Sequence, residues 1–160
     1  MAGPRAGQAP QSPGGRGLTG PEGSVERTIR ISARPATVWR YWTDPERICD
    51  WWGASAELDP RPGGICLVRL GGDAVMRGEF VELIPYRRIV FTLGWEPADG
   101  APPVPPGSTT VTITLAEDDG ETILTLRHTG LPPAARDMHR SGWSHYLPML
   151  ASAAGHDRHG

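Results

Sequence analysis

The sequence contains no lysine; all sixteen of its basic residues are arginine. Without an ε-amine the chain has no means of forming a Schiff base. Cysteine is nearly as scarce. Cys49 and Cys66 are the only two, in no CxxC spacing, and two isolated thiols fit a reducing compartment better than a disulfide-stapled secreted domain. The sequence alone leaves a Cys49–Cys66 bridge open. No apolar run approaches the roughly 20 residues that span a bilayer. The opening MAGPRAGQAPQSPGGRG has no hydrophobic stretch of the kind a secretory signal needs. These absences point to a cytoplasmic protein. Charge is nearly balanced, at a net −2 with no basic run, which argues against nucleic acid as the main partner. There is no GxSxG, P-loop, GxGxxG or HExxH motif.

What the chain does have is glycine, proline and tryptophan, unevenly placed. Residues 1–23 are dominated by Gly, Pro and Ala and hold Leu18 as their one large apolar side chain beyond Met1. Such a segment buries too little to offset its ordering entropy and reads as a disordered tail. The folded domain is expected over 24–154, with 155–160 as a polar C-terminal tail. About 130 residues suffice for a real core, burying on the order of two-thirds of the unfolded chain's surface.

SVERTIRIS sets Val25, Arg27, Ile29 and Ile31 against Glu26, Thr28 and Arg30, the alternation of a strand. In PATVWRYWTDPERI, Pro35 suits a helix start, and Val38, Trp39 and Trp42 share a face. Asp44-Pro45 ends that helix and begins a second short one, since a residue before proline avoids the α region. From 54 to 129 the period becomes two: ASAELD, ICLVRL, AVMRGEFVELI (with a bend or bulge at Gly78), RRIVFTLGW, STTVTITLAE and ETILTLRHT read as six strands. The last two form a hairpin at DDG. EPADGAPPVPPG is a proline-rich loop, either a lid or a solvent-exposed excursion. After GLPP the period turns helical, with Ala135, Met138, His139, Gly142, Trp143, Tyr146, Leu147 and Leu150 on one stripe. Pro148 removes one backbone bond and should bend this helix near Ser144. The order is strand, two short helices, six strands, long helix. That is an α+β fold with a curved seven-stranded antiparallel sheet covered by the C-terminal helix. A strongly bent sheet gripping one helix leaves room for a cavity.

The blocks PATVWRYWTDPERICDWWG, DPRPGG, GEFVELIPYRRIVFTLGW, TILTLRHTGL and HRSGW, in that order, resemble the SRPBCC (START-like, birch-pollen-allergen-like) superfamily with its helix-grip fold. Within it the chain is most similar to bacterial single-domain relatives of the activator of heat-shock-protein-90 ATPase. The resemblance spans about residues 24–152. It implies a fold that hosts lipid and steroid carriers, hormone receptors, cyclases and dehydratases, so activity has to be argued from the site. It also implies that Trp51 and Trp52 close one end of a cavity. The chaperone activators carry an additional N-terminal domain, and direct chaperone activation is not expected here.

His139 and Trp143 stand four residues apart on the helix stripe, and either line a cavity or belong to core. Gly142 marks a close helix–sheet approach or room for a ligand. On TILTLRH the period places Thr122, Leu124, Leu126 and His128 inward. His128 and His139 would then share one pocket, orienting a ligand or moving a proton, unless they only bond backbone carbonyls. His145 lies off that face, so no third histidine completes a metal site; no metal and no cofactor are expected. Trp51 and Trp52 are adjacent, so one ring is expected in the core and the other exposed. Glu79 and Glu82 should face opposite ways, one pairing Arg69 or Arg77.

The sequence thus reads as a monomeric or homodimeric domain binding a small apolar or aromatic molecule, with no nucleic-acid or membrane partner. The expected inner surface comprises Trp42, Trp52, Val68, Phe80, Phe91, Trp95, Ile113, Leu126, His128, His139 and Trp143, with aromatics supplying burial and the histidines orientation. Two other readings stand beside it. One is a polyketide cyclase- or dehydratase-like enzyme using His128 or His139. The other is a chaperone- or protein-interaction module, which requires an exposed apolar patch and a filled interior.

Overall fold

The computed structural model describes residues 24–98 and 100–157; the expected N-terminal tail lies outside them. Strand β1 (Val25–Ile31) is followed by helices α1 (Pro35–Thr43) and α2 (Pro45–Ile48). Then come β2 (Ser55–Leu58), β3 (Ile65–Gly71), β4 (Ala74–Ile84), β5 (Arg88–Trp95), β6 (Thr109–Asp118), β7 (Glu121–Thr129) and the long helix α3 (Pro133–Gly155). All seven strands form one antiparallel sheet in the order β1-β7-β6-β5-β4-β3-β2. The first strand closes against the last, so the sheet's ends are the N-terminal strand and the short β2. Among the described residues no helix is long and apolar enough to cross a membrane.

Period two does the work expected of it. Thr122, Leu124, Leu126 and His128 on β7 and Thr109, Val111, Ile113 and Leu115 on β6 are all buried, and they pair in register, Ile113 opposite Leu126 and Val111 opposite His128. Helix α3 buries Ala135, His139, Trp143, Leu147, Leu150 and Ala154, a narrower stripe than the sequence pattern, with Met138 about half exposed. It continues through Pro148 to Gly155. Ser144, whose carbonyl proline leaves without its helical partner, uses its hydroxyl to accept a bond from Arg27 Nε of β1 at 2.9 Å. Asp44 serves both short helices, closing α1 and accepting the Glu46 N–H at 2.9 Å as the cap of α2.

Four expectations need correction. The extra residue in β4 sits between Phe80 and Glu82 rather than at Gly78. Gly78 instead lets β5 approach: a Cβ there would meet the Thr92 carbonyl oxygen at 1.8 Å. The bulge reverses the alternation, so Glu79 and Glu82 both reach solvent. Glu82 pairs Arg88, while Arg69 and Arg77 pair Glu57 and Glu96. The tryptophan pair is buried on both sides, Trp51 at 2% and Trp52 at 3% exposure. Both backbone N–H groups bond the Ile48 carbonyl, which removes the strand-like alternation, and the two rings stack at 5.5 Å. Lastly, the long helix runs one residue into the segment expected as a polar tail. The helix includes Gly155, and Asp157 is docked on Arg47 and the Tyr41 hydroxyl with its side chain 2% exposed. Both cysteines are free thiols.

Candidate functional site

A cavity of about 310 Å³ lies between the sheet and the first half of α3. The helix contributes Met138, His139, Gly142, Trp143 and Tyr146 to it, positions spaced by three and four residues and therefore on one face. The sheet contributes Leu70, Ala74, Leu93 and Trp95, and Trp52 closes it from the turn after α2. Gly100 and Pro102 bring the proline-rich loop to its rim. That loop is pinned by Val104, which is 1% exposed and accepts the Trp95 backbone N–H at 2.7 Å. Gly94 permits the contact, because a Cβ there would meet the Pro105 carbonyl oxygen at 2.0 Å.

Gly142 resolves an alternative that the sequence leaves open. No atom lies within 4 Å of where its Cβ would stand, so it relieves no close approach. Glycine within a helix costs roughly 0.5–1 kcal/mol relative to alanine. The position keeps space free in the cavity wall at the expense of helix stability.

Two hydrogen-bond chains run behind this wall. In the first, Trp95 Nε1 donates to His139 Nε2 at 3.0 Å and His139 Nδ1 donates to the Ala135 carbonyl at 2.8 Å. An indole only donates and a carbonyl only accepts, so His139 is neutral with its proton on Nδ1. In the second, Trp143 Nε1 donates to His128 Nδ1 at 3.1 Å. His128 Nε2 then donates to Thr109 Oγ1 at 2.8 Å, and that hydroxyl donates to the Leu93 carbonyl at 2.6 Å. His128 is therefore the opposite tautomer. The two imidazoles meet edge to face, 5.3 Å between centroids. Burial pushes the His128 pKa down to about 3, with His139 adding to the effect. Burial also lowers that of His139, against the pull of the Ala135 carbonyl. Protonating either ring would turn an indole's acceptor into a second donor.

Residues 32–155 match the family described as activator of Hsp90 ATPase homolog 1-like proteins. The chain belongs to this family. An AHSA1-like protein from Rhizobium etli is 43% identical, with a TM-score of 0.66 over 83% of this chain and 82% of its own. DynU16, from the dynemicin biosynthetic locus, is 24% identical with a TM-score of 0.69 over 82% of this chain. This chain spans about half of that one (47%). The Aha1 protein of Colwellia psychrerythraea, solved as a dimer, is 17% identical with a TM-score of 0.69, covering 84% of this chain and 98% of its own. The latter two share the helix-grip fold. No curated protein matches the chain.

In this AHSA1-like domain, four of the eleven residues expected on the inner surface reach the cavity, Trp52, Trp95, His139 and Trp143, together with Met138, Gly142 and Tyr146 of the helix stripe. Trp42, Val68, Phe80, Phe91, Ile113, Leu126 and His128 are buried in the core beside it. Trp42 joins the wall to the core through edge contact with Trp51 at 4.7 Å and a tilted contact with Trp143 at 6.4 Å. The histidines do not present the free nitrogens expected of ligand-orienting groups, since both nitrogens of each are engaged within the protein. Leu93 shares the period-two phase of Phe91 and was legible on that ground. Gly100 and Pro102 belong to the proline-rich loop that the sequence leaves open as a lid or a solvent-exposed excursion, because nothing local aims a loop at a cavity. Among the described residues, no group of three His, Cys, Asp or Glu is placed to hold a metal ion.

Proposed function

We propose that this domain binds a small apolar, aromatic molecule between its sheet and α3. The observation that carries the reading is a cavity walled by Trp52, Trp95, Trp143 and Tyr146 and left open at Gly142. Its volume falls at the small end of the roughly 300–1,000 Å³ typical of ligand sites. Removing about 200 Å² of apolar ligand surface from water contributes about 5 kcal/mol, before the cost of association.

The proton-moving enzyme is the weaker reading, because a general acid or base must offer a proton or lone pair to the substrate. His128 and His139 have both of theirs committed. The interaction-module reading called for a filled interior, which the cavity does not fit. A homodimer, as in the Colwellia protein, is compatible with a cavity contained within one chain.

The test is titration with the neutral probe N-phenyl-1-naphthylamine, followed by its fluorescence and by native mass spectrometry. Saturable binding that Gly142→Leu abolishes and Gly142→Ala only weakens is the expected result. Binding that is absent, or indifferent to Gly142→Leu, would overturn the assignment of the cavity.

A further inference from the structure

Resting on that reading, we infer that the cavity selects uncharged aromatic ligands and rejects the corresponding carboxylates. The chain is rich in arginine, yet none lines the cavity, and neither does any aspartate or glutamate among the described residues. Arg69 and Arg77, on the strands nearest its rim, are taken by Glu57 and Glu96. A carboxylate in the cavity would therefore lie in an apolar setting without a counter-charge, and an unpaired buried charge is among the costliest groups a protein interior can hold.

The donors that might replace a counter-charge are engaged as well. His139 is the wall's only imidazole among the described residues. Its Nδ1–H is given to the Ala135 carbonyl, and its Nε2 already accepts from Trp95. An anion could draw a proton from this ring only by breaking one of those bonds. The N-terminus of a helix commonly seats anions through its free N–H groups. Here Pro132 and Pro133 have no N–H to offer, and the Ala135 N–H is bonded to the Pro132 carbonyl at 2.9 Å. The indole N–H groups of Trp95 and Trp143 are given to the two histidines, so what remains among the described residues of the wall is the tryptophans' ring surface, the Trp52 indole N–H and the Tyr146 hydroxyl. That inventory suits a planar neutral molecule carrying a carbonyl or hydroxyl, such as an aryl ketone or a phenol.

The experiment compares 2-acetonaphthone with 2-naphthoate, a matched neutral and anionic pair, by isothermal titration at neutral pH. The ketone should bind more tightly by about tenfold or more, and Gly142→Leu should abolish its binding. Equal or tighter binding of the naphthoate would overturn the selectivity while leaving the cavity reading intact. Arg136, whose Nε is buried without a hydrogen-bond partner among the described residues, would be the group to suspect, and loss of naphthoate binding in Arg136→Gln would identify it. Binding of neither probe would overturn the cavity reading and the selectivity together.

Discussion

Trp143 and His128 are joined by a hydrogen bond in which the indole N–H donates to Nδ1 at 3.1 Å. One residue comes from the middle of the long helix and the other from the end of the last strand. The bond locks the helix to the sheet at the back of the cavity and fixes the imidazole's tautomer. Because the indole can only donate, the bond requires a neutral histidine.

Stability should therefore depend on pH in the range where free histidine titrates. In the unfolded chain both rings have the ordinary pKa near 6.5; in the folded protein that of His128 falls to about 3 and that of His139 is also lowered. Above about pH 6.5 both states are neutral and stability is complete. As pH falls below that, the unfolded chain binds protons the folded one refuses, so stability declines toward pH 3 through His128, by up to about 1.4 kcal/mol per pH unit, with His139 acting in the same direction. Urea unfolding at about pH 7.5 and about pH 5 should show the loss, and His128→Leu should reduce the slope. Identical stability of the parent protein at both values would refute it.

Trp143→Phe keeps most of the ring surface but deletes the N–H, leaving His128 Nδ1 buried without a partner. The expected cost is about 1–3 kcal/mol, read from the denaturation midpoint. The mutant should also show a weaker acid dependence than the parent, since its His128 can accept a proton without opposing an indole. A loss of stability with an unchanged pH slope would mean that the ring's packing matters and the hydrogen bond does not.

The two thiols differ in setting, and their reactivity should follow. Cys66 is 2% exposed, and burial pushes its pKa up to about 12. Cys49 is half-buried, its pKa raised less far by burial and by the Asp50 charge. Thiolate is the reactive form, so a disulfide reagent at mildly alkaline pH should modify Cys49 slowly and Cys66 only after unfolding. Rapid labelling of Cys66 in the native protein would show that the sheet opens there.

Much of this arrangement was written in the sequence at the level of period and order. The alternation in β6 and β7 placed Leu126 and His128 inward, and the three- and four-residue spacing in α3 placed His139 and Trp143 on the buried face. What stayed hidden depends on how elements meet. Whether Gly142 faces a neighbour or an empty space is a property of the sheet opposite it. Whether a buried histidine is available depends on Trp95 and Thr109, which lie 44 and 19 residues from their partners. The bulge in β4, one extra residue at a place without a local signal, was enough to reverse the facing of Glu82.

The C-terminal clasp offers a test of how the helix is held. Asp157 accepts from the Tyr41 hydroxyl at 3.0 Å and pairs Arg47 at 2.5 Å, with the carboxylate buried and the guanidinium partly exposed. Asp157→Ala leaves both donors without this acceptor and should cost about 1–3 kcal/mol. The probe affinity should remain, since the cavity lies at the other end of α3. A large fall in affinity without a fall in stability would show that the clasp and the cavity are coupled.

Gly142→Ala separates stability from binding most directly. A methyl group at this site meets nothing within 4 Å and removes the entropic cost of glycine in a helix, so the apo protein should gain roughly 0.5–1 kcal/mol, seen as a higher melting temperature. The same methyl projects into the space a ligand would fill, so affinity for a probe that packs against α3 should fall while melting temperature rises. A larger side chain extends the argument: Gly142→Leu should exclude the probe altogether. Opposite movement of stability and affinity in one substitution is difficult to obtain from a core position, where filling and folding favour each other. If the alanine variant instead lost stability, the space beside Gly142 would be occupied in solution, and the cavity could not be the binding site.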